Sequence, residues 1–211
     1  MYDAIFFDLD GTLIDTERLA FGAGRAAFAA MGHDDIDDLL HRLIGIDLPT
    51  AQNMIRGHLP QINLADLDRH WGAHFDAAMA AEVPLKSGAA NLVADLATRH
   101  DLALVTSSGR THAMDKLERS GLLPAFRTII TREDVTATKP APDPYLLAAT
   151  RLGASPARCL VFEDSEPGAE SAHRAGMRVV QVIDVTPPTG RFAHHVAADL
   201  ASGARWAGLI A

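Results

Sequence analysis

Ala4-Ile5-Phe6-Phe7-Asp8-Leu9-Asp10-Gly11-Thr12 begins as a run of four apolar residues and ends in two acids and a glycine. A short apolar run of this kind reads as a buried strand. Closing it with carboxylates is costly, because charge at the edge of a core needs a cation or hydrogen bonds to offset desolvation. A solvated turn built on Asp10-Gly11 is the alternative, since that pair suits tight turns for backbone reasons. The nine residues alone leave both readings open.

Further apolar runs lie at residues 102–105, 127–130, 159–162 and 178–182, and helical patterns separate them at 88–99, 111–120, 143–152 and 166–175. Strands alternating with helices predict an α/β domain with a parallel sheet covered on both faces. Such sheets take their ligands at the carboxyl ends of the strands. Asp8, Thr106 and the Glu163-Asp164 pair all fall at predicted strand ends, so one edge collects the chemistry. Between Ile14 and about Val83 the strand signal vanishes and helices are predicted at 17–31, 36–43, 50–59 and 64–81. Gly32, Gly45, Pro49 and Pro60 punctuate them. The reading is a core domain of residues 1–14 and 83–211 with an inserted α-helical domain at 15–82.

Composition narrows the function. With 211 residues, 48% of them hydrophobic and 22% charged, the chain can bury a substantial core. No stretch approaches a membrane span, and the first residues lack the pattern of a secretion signal, so no membrane role is expected. A single cysteine, Cys159, set in an apolar strand, reads as a core thiol in a reducing compartment and points to the cytoplasm. A net charge of −8 with no basic patch argues against nucleic acid. A monomer or a small homo-oligomer fits this composition.

Three more segments bear on the acidic strand end. Val105-Thr106-Ser107-Ser108 brings hydroxyls to a strand end ahead of a helix whose free N–H groups can receive an anion. Thr106 could also be a simple helix cap. Lys139, within Thr138-Lys139-Pro140-Ala141-Pro142-Asp143, is a cation in a stiff loop that can aim it at clustered negative charge, or else a surface lysine. Val161-Phe162-Glu163-Asp164-Ser165 repeats the strand ending in acids, and Gly168, Ala169, Ala172 and Ala175 give the next helix a small packing face.

In this order the four segments resemble the haloacid dehalogenase superfamily, specifically its phosphatase and β-phosphoglucomutase-like branch with a helical cap after the first motif. Thr138 stands where a glycine is usual, and Ser171 where an alanine is usual. The resemblance implies a Rossmann-like core and a Mg²⁺-dependent phosphatase acting on a small phosphorylated metabolite through an aspartyl-phosphate. It makes Asp8 the nucleophile, Asp10 the general acid and base, Thr106 and Ser107 phosphate ligands, and Lys139 the charge stabiliser. Asp8, Asp10, Glu163 and Asp164 would hold the metal. Oxygen-only donors favour Mg²⁺ over softer metals.

The cap of this family selects the substrate, which points to Glu17 and to Asp47 in the 43–49 loop for polar contacts. Mutases carry an arginine near Leu48 and a histidine near Ala20; neither is present, so hydrolysis is favoured over intramolecular transfer. A non-catalytic phospholigand-binding protein is the third reading, and it would be expected to have lost Asp8, Asp10 or Lys139. The acidic run at 34–38 suits a helix start. His70 and His74 have zinc-like spacing without a third ligand, and His194-His195 reads as loop or surface rather than catalytic.

Overall fold

The computed structural model describes residues 2–43, 46, 48–184 and 188–211. It divides into two compact units, one formed by the residues up to Asp15 together with Pro84–Ala211, the other by Thr16–Val83.

The first unit is built on six parallel strands, β1 (Ala4–Phe7), β2 (Asp101–Val105), β3 (Thr128–Ile130), β4 (Cys159–Glu163), β5 (Arg178–Val182) and β6 (His195–Ala197), in the order β3-β2-β1-β4-β5-β6. Its helices are α5 (Ala89–Ala97), α6 (Arg110–Arg119), α7 (Asp143–Leu152), α8 (Glu166–Arg174) and α9 (Leu200–Trp206). All four residues of β1 are fully buried, as expected for a central strand covered on both faces. Phe6 points into a core with Val105, Val161, Val179 and Tyr145 of α7, closed by Ala169 and Ala172 of α8. Phe7 points the other way, stacks on Phe162 at 5.0 Å, and lies in the layer covered by α9, where Gly203 lies against Val180 and Phe162. The small residues read as a packing face in α8 thus let that helix settle on the sheet. Each fully buried phenylalanine contributes about 2–3 kcal/mol by leaving water.

The sheet extends one strand beyond the sequence reading. His195, expected in a loop or on the surface, begins the edge strand β6, and His194 just before it accepts the Val179 N–H on Nδ1 at 3.1 Å. A three-residue edge strand whose Val196 stays exposed offers no apolar run to detect.

In the second unit, α1 (Thr16–Ala30), α2 (Asp37–Leu43), α3 (Leu48–His58) and α4 (Leu64–Ala81) enclose Ala27, Phe28, Leu39, Leu40, Ile55 and Leu67. Asn63 caps α4 by accepting the Ala65 and Asp66 N–H groups. Asp37 and Asp38 occupy the first turn of α2, where the helix dipole favours acids. The third helix opens at Leu48-Pro49, two residues earlier than expected, because a proline fits the first turn of a helix. Ile44, Gly45 and Asp47 lie outside the described residues. Among the described residues no helix is long and apolar enough to cross a membrane.

The close pairing of α1 and α4 turns on Gly24. A Cβ there would lie 2.5 Å from the Trp71 ring, which itself meets Phe28 edge-on at 6.1 Å. In a helix interior, alanine gains up to about 1 kcal/mol over glycine. Overpacking a rigid ring costs about 1–3 kcal/mol. Gly24→Ala is therefore expected to destabilise the helical unit by about 1 kcal/mol, read as a lower urea midpoint; a raised midpoint would show that Trp71 yields freely.

Candidate active site

The strand order decides which groups meet. With β1 between β2 and β4, Phe7 is in register with Leu104 and with Phe162, so the carboxyl ends of the three strands lie side by side. The Asp8 N–H continues the ladder to the Phe162 carbonyl at 3.0 Å, holding Asp8 level with the sheet edge.

Lys139 is the cation among these acids. Its Nζ donates to Asp8 Oδ1 at 2.6 Å, to Glu163 Oε1 at 2.5 Å and to the Val105 carbonyl at 2.9 Å, which uses all three of its protons. Its side chain is only 5% exposed. Burial pulls the ammonium pKa down, but Asp8 and Glu163 outweigh that and hold it above the ordinary lysine range. Lys139 stays charged.

Glu163, fully buried, accepts from Lys139 and Tyr145 on Oε1 and from the Asp164 N–H, the Ser165 N–H and the Ser165 hydroxyl on Oε2. Five donors leave its two oxygens little free capacity. Space for this carboxylate comes from Gly168, where a Cβ would fall 1.8 Å from Glu163 Oε1. Burial and the charges of Glu163 and Asp8 keep the Tyr145 hydroxyl protonated well past its usual range, so it remains a donor. Ser171, where alanine is usual, donates to the Ala141 carbonyl at 2.5 Å and ties α8 to the loop that carries Lys139.

Asp164 accepts from the Thr12 hydroxyl at 2.8 Å and lies against Gly11, whose φ of +85° and lack of a Cβ both allow the approach. Carboxylate oxygens of Asp8, Glu163 and Asp164 lie within 4.8 Å of one another. Burial pushes the Asp8 carboxyl well above its usual range; Lys139 opposes this, and Glu163 and Asp164 add to it. Burial and the neighbouring Glu163 charge raise Asp164 to about 7, against the Thr12 hydrogen bond. One lysine does not neutralise the cluster. The uncompensated charge and the oxygen-only donors fit a hard divalent cation.

Asp10 turns elsewhere. Its Oδ2 accepts from the Ser108 hydroxyl at 2.6 Å and its Oδ1 from Lys116 Nζ at 2.5 Å, so its carboxylate belongs to the hydroxyl loop and α6. Thr106, buried at the end of β2, accepts the Ser108 N–H on Oγ1 at 3.1 Å and so shapes that loop; Gly109, not Thr106, is the residue at the start of α6. Ser107 is exposed.

Glu17 lies in the helical unit, beside a cavity of about 250 Å³ lined by Phe21, Leu40, Leu43, Ile46 and Trp71. Asp47 falls outside the described residues. His70 and His74 are half-buried on α4 and join no metal-binding group among the described residues. Sequence reasoning missed Thr12, Lys116 and Tyr145, and read Ser108 only as one of the strand-end hydroxyls, not as a partner of Asp10. A readable sign for Lys116 was its position on α6, three residues after buried Ala113 and one before buried Leu117, where an apolar residue is expected.

Fold and site together define an α/β protein that gathers acids, a buried lysine and hydroxyls at the carboxyl edge of its sheet. Residues 5–182 match the family model described as haloacid dehalogenase-like hydrolase. The chain is 32% identical over 186 residues to the fructose-1-phosphate phosphatase YqaB of Escherichia coli, covering 86% of this chain and 96% of that protein. It is 31% identical over 186 residues to the phosphorylated carbohydrates phosphatase of Thermotoga maritima, covering 86% and 85%. Among solved structures it superposes with a TM-score of 0.83 and 27% identity on a haloacid dehalogenase family hydrolase from Deinococcus radiodurans with bound phosphate and sodium, covering 99% and 96% of the two chains. The chain belongs to the haloacid dehalogenase-like hydrolases.

The raised Asp164 pKa has a consequence for stability without metal. Between the ordinary 3.8 and about 7 the folded state keeps a proton that the unfolded chain has lost, so stability falls as pH rises through that window. In EDTA the wild-type protein should lose about 3 kcal/mol between about pH 5 and about pH 8 relative to Asp164→Asn, and Mg²⁺ should restore it at the higher pH. Parallel stability curves for the two proteins in EDTA would refute this.

Proposed function

We propose that this phosphoric monoester hydrolase releases phosphate from a small phosphorylated sugar or similar metabolite in the cytoplasm, with Mg²⁺, through an aspartyl-phosphate on Asp8. The observation that carries the reading is the three-way contact of Lys139 with Asp8, Glu163 and the end of β2, beside the raised Asp164 carboxyl. It gives Asp8 a fixed counter-charge and leaves residual negative charge for a metal to neutralise.

Asp8 and Asp164 would hold the ion with the Asp10 backbone carbonyl, while Glu163, its oxygens taken by protein donors, adds charge and holds Lys139. Mg²⁺ supplies neutralisation of the acids and of the phosphate oxygens, so that two anions can approach. A carboxylate oxygen of Asp8 attacks phosphorus, the phosphorus–oxygen ester bond breaks, and Asp10 gives its proton to the leaving alkoxide. Water then attacks the aspartyl-phosphate and yields its proton to Asp10, so that inorganic phosphate leaves and Asp8 is restored. Thr106, Ser107 and the loop N–H groups before α6 receive the phosphate oxygens, and Lys139 stabilises the charge on the transferring group.

Phosphatase names among the relatives, and the phosphate in the Deinococcus protein, support the substrate class. Substrate selection is assigned to the helical unit as a cap, with Glu17 and Asp47 as polar contacts. Hydrolysis is preferred to transfer between two positions of a sugar because Leu48 and Ala20 cannot hold a second phosphate or relay a sugar proton.

With Mg²⁺ the protein should release phosphate from p-nitrophenyl phosphate and from members of a sugar-phosphate panel, and Asp8→Asn should lower kcat by about 10³-fold or more. Metal-independent turnover that survives Asp8→Asn would overturn the reading. Glucose 6-phosphate formed from β-glucose 1-phosphate, in place of free phosphate, would show a transferase instead.

A further inference from the structure

The nucleophile's counter-charge, the metal cluster and the phosphate loop belong to the site already described, but Lys116 has no role in it. It sits in the middle of α6, with 13% of its side chain exposed, on the flank of the face that buries Ala113 and Leu117. Its side chain is largely buried, and its ammonium reaches Asp10 Oδ1 at 2.5 Å, across 106 positions of sequence. On the other oxygen Ser108 donates at 2.6 Å. Asp10 is 29% exposed, and an aspartate so placed would ordinarily sample several rotamers. Held at both oxygens from two separate elements, it has one orientation.

We propose that Lys116 is a positioning residue that aims the Asp10 carboxylate, resting on the assignment above of Asp10 as the group that exchanges protons with the leaving oxygen and with water. That carboxylate must serve the side of phosphorus opposite the attacking Asp8 oxygen. In keeping with this, Asp10 is tied to the hydroxyl loop and α6 and stands apart from the Asp8, Glu163 and Asp164 cluster. Among the described residues Lys116 makes no other side-chain hydrogen bond or ion pair, and a lysine whose side chain is largely buried loses less entropy in forming such a pair than a freely solvated one. In the second half-reaction the water oxygen bonds to phosphorus, the bond between phosphorus and the Asp8 carboxyl oxygen breaks, and the water proton passes to Asp10. A carboxylate free to swing meets that water in fewer encounters.

The test uses steady-state and rapid-mixing kinetics of the Mg²⁺-loaded full chain. Lys116→Met should lower kcat on a sugar phosphate about tenfold, with KM changed less than about twofold, and Lys116→Arg should recover most of the loss. With p-nitrophenyl phosphate the leaving group needs no proton while water attack still needs Asp10. Lys116→Met should therefore release a burst of p-nitrophenolate that the wild-type protein shows to a smaller extent or not at all.

An unchanged or raised kcat, a loss confined to KM, or a loss without the burst overturns the proposal, since a merely structural lysine would not move the balance between the two half-reactions. Asp10→Asn is measured alongside. If it turns over normally, the reading of Asp10 fails; if it is impaired while Lys116→Met is not, only the role of Lys116 fails. Should Lys116→Met not fold, Ser108→Ala removes the second tether and is read for the same burst.

Discussion

Lys139 holds three acceptors that would otherwise repel or go unpaired in a buried setting: the Asp8 carboxylate, the Glu163 carboxylate and the last carbonyl of β2. A buried ion pair is weak evidence of net stability, because desolvating both charges costs about as much as their attraction returns. What such a contact does supply is geometry. Taking away the ammonium would leave the Asp8 and Glu163 carboxyl groups close together beside Asp164 with no cation between them, so the lysine bears on how close these acids can stand. Tyr145, Ser171 and Gly168 are explicable as its support: one shares Glu163 with it, one anchors its loop, and one leaves room for the acid it binds.

The sheet and most of the helices were legible because their signals are local. Buried parallel strands carry runs such as residues 4–7 and 159–162, and helices carry a 3.6-residue period, so both can be read without knowing what lies beside them. The third helix opens two residues before its periodic pattern does, because Pro49, which reads as a break, is a first-turn residue. The strand at His195–Ala197 was missed because it is short and half-exposed, and its pairing with β5 is a tertiary fact.

The site was legible in a different sense. Acids at strand ends and a lysine in a proline-flanked loop are visible as residue types, and the rule that parallel sheets bind at their carboxyl edge brings them to one side. Partner choice is not visible. Nothing in the order of residues says that Glu163 spends its oxygens on Lys139, Tyr145 and Ser165, or that Asp10 faces Ser108 and Lys116. Those depend on rotamers and on which helix packs where.

The bonds that make the site are among the most widely separated in the chain. Lys139 and Asp8 are 131 positions apart, Lys116 and Asp10 106, and Thr12 and Asp164 152. Closing loops of that length costs entropy before any contact repays it, and parallel pairing between β1, β2 and β4 carries the same burden. The acids therefore remain apart and fully hydrated in any partly ordered chain, and meet only when the central strands have docked. Regain of catalytic competence during refolding thus reports completion of the sheet, whereas helix formation, being local, reports only its beginning.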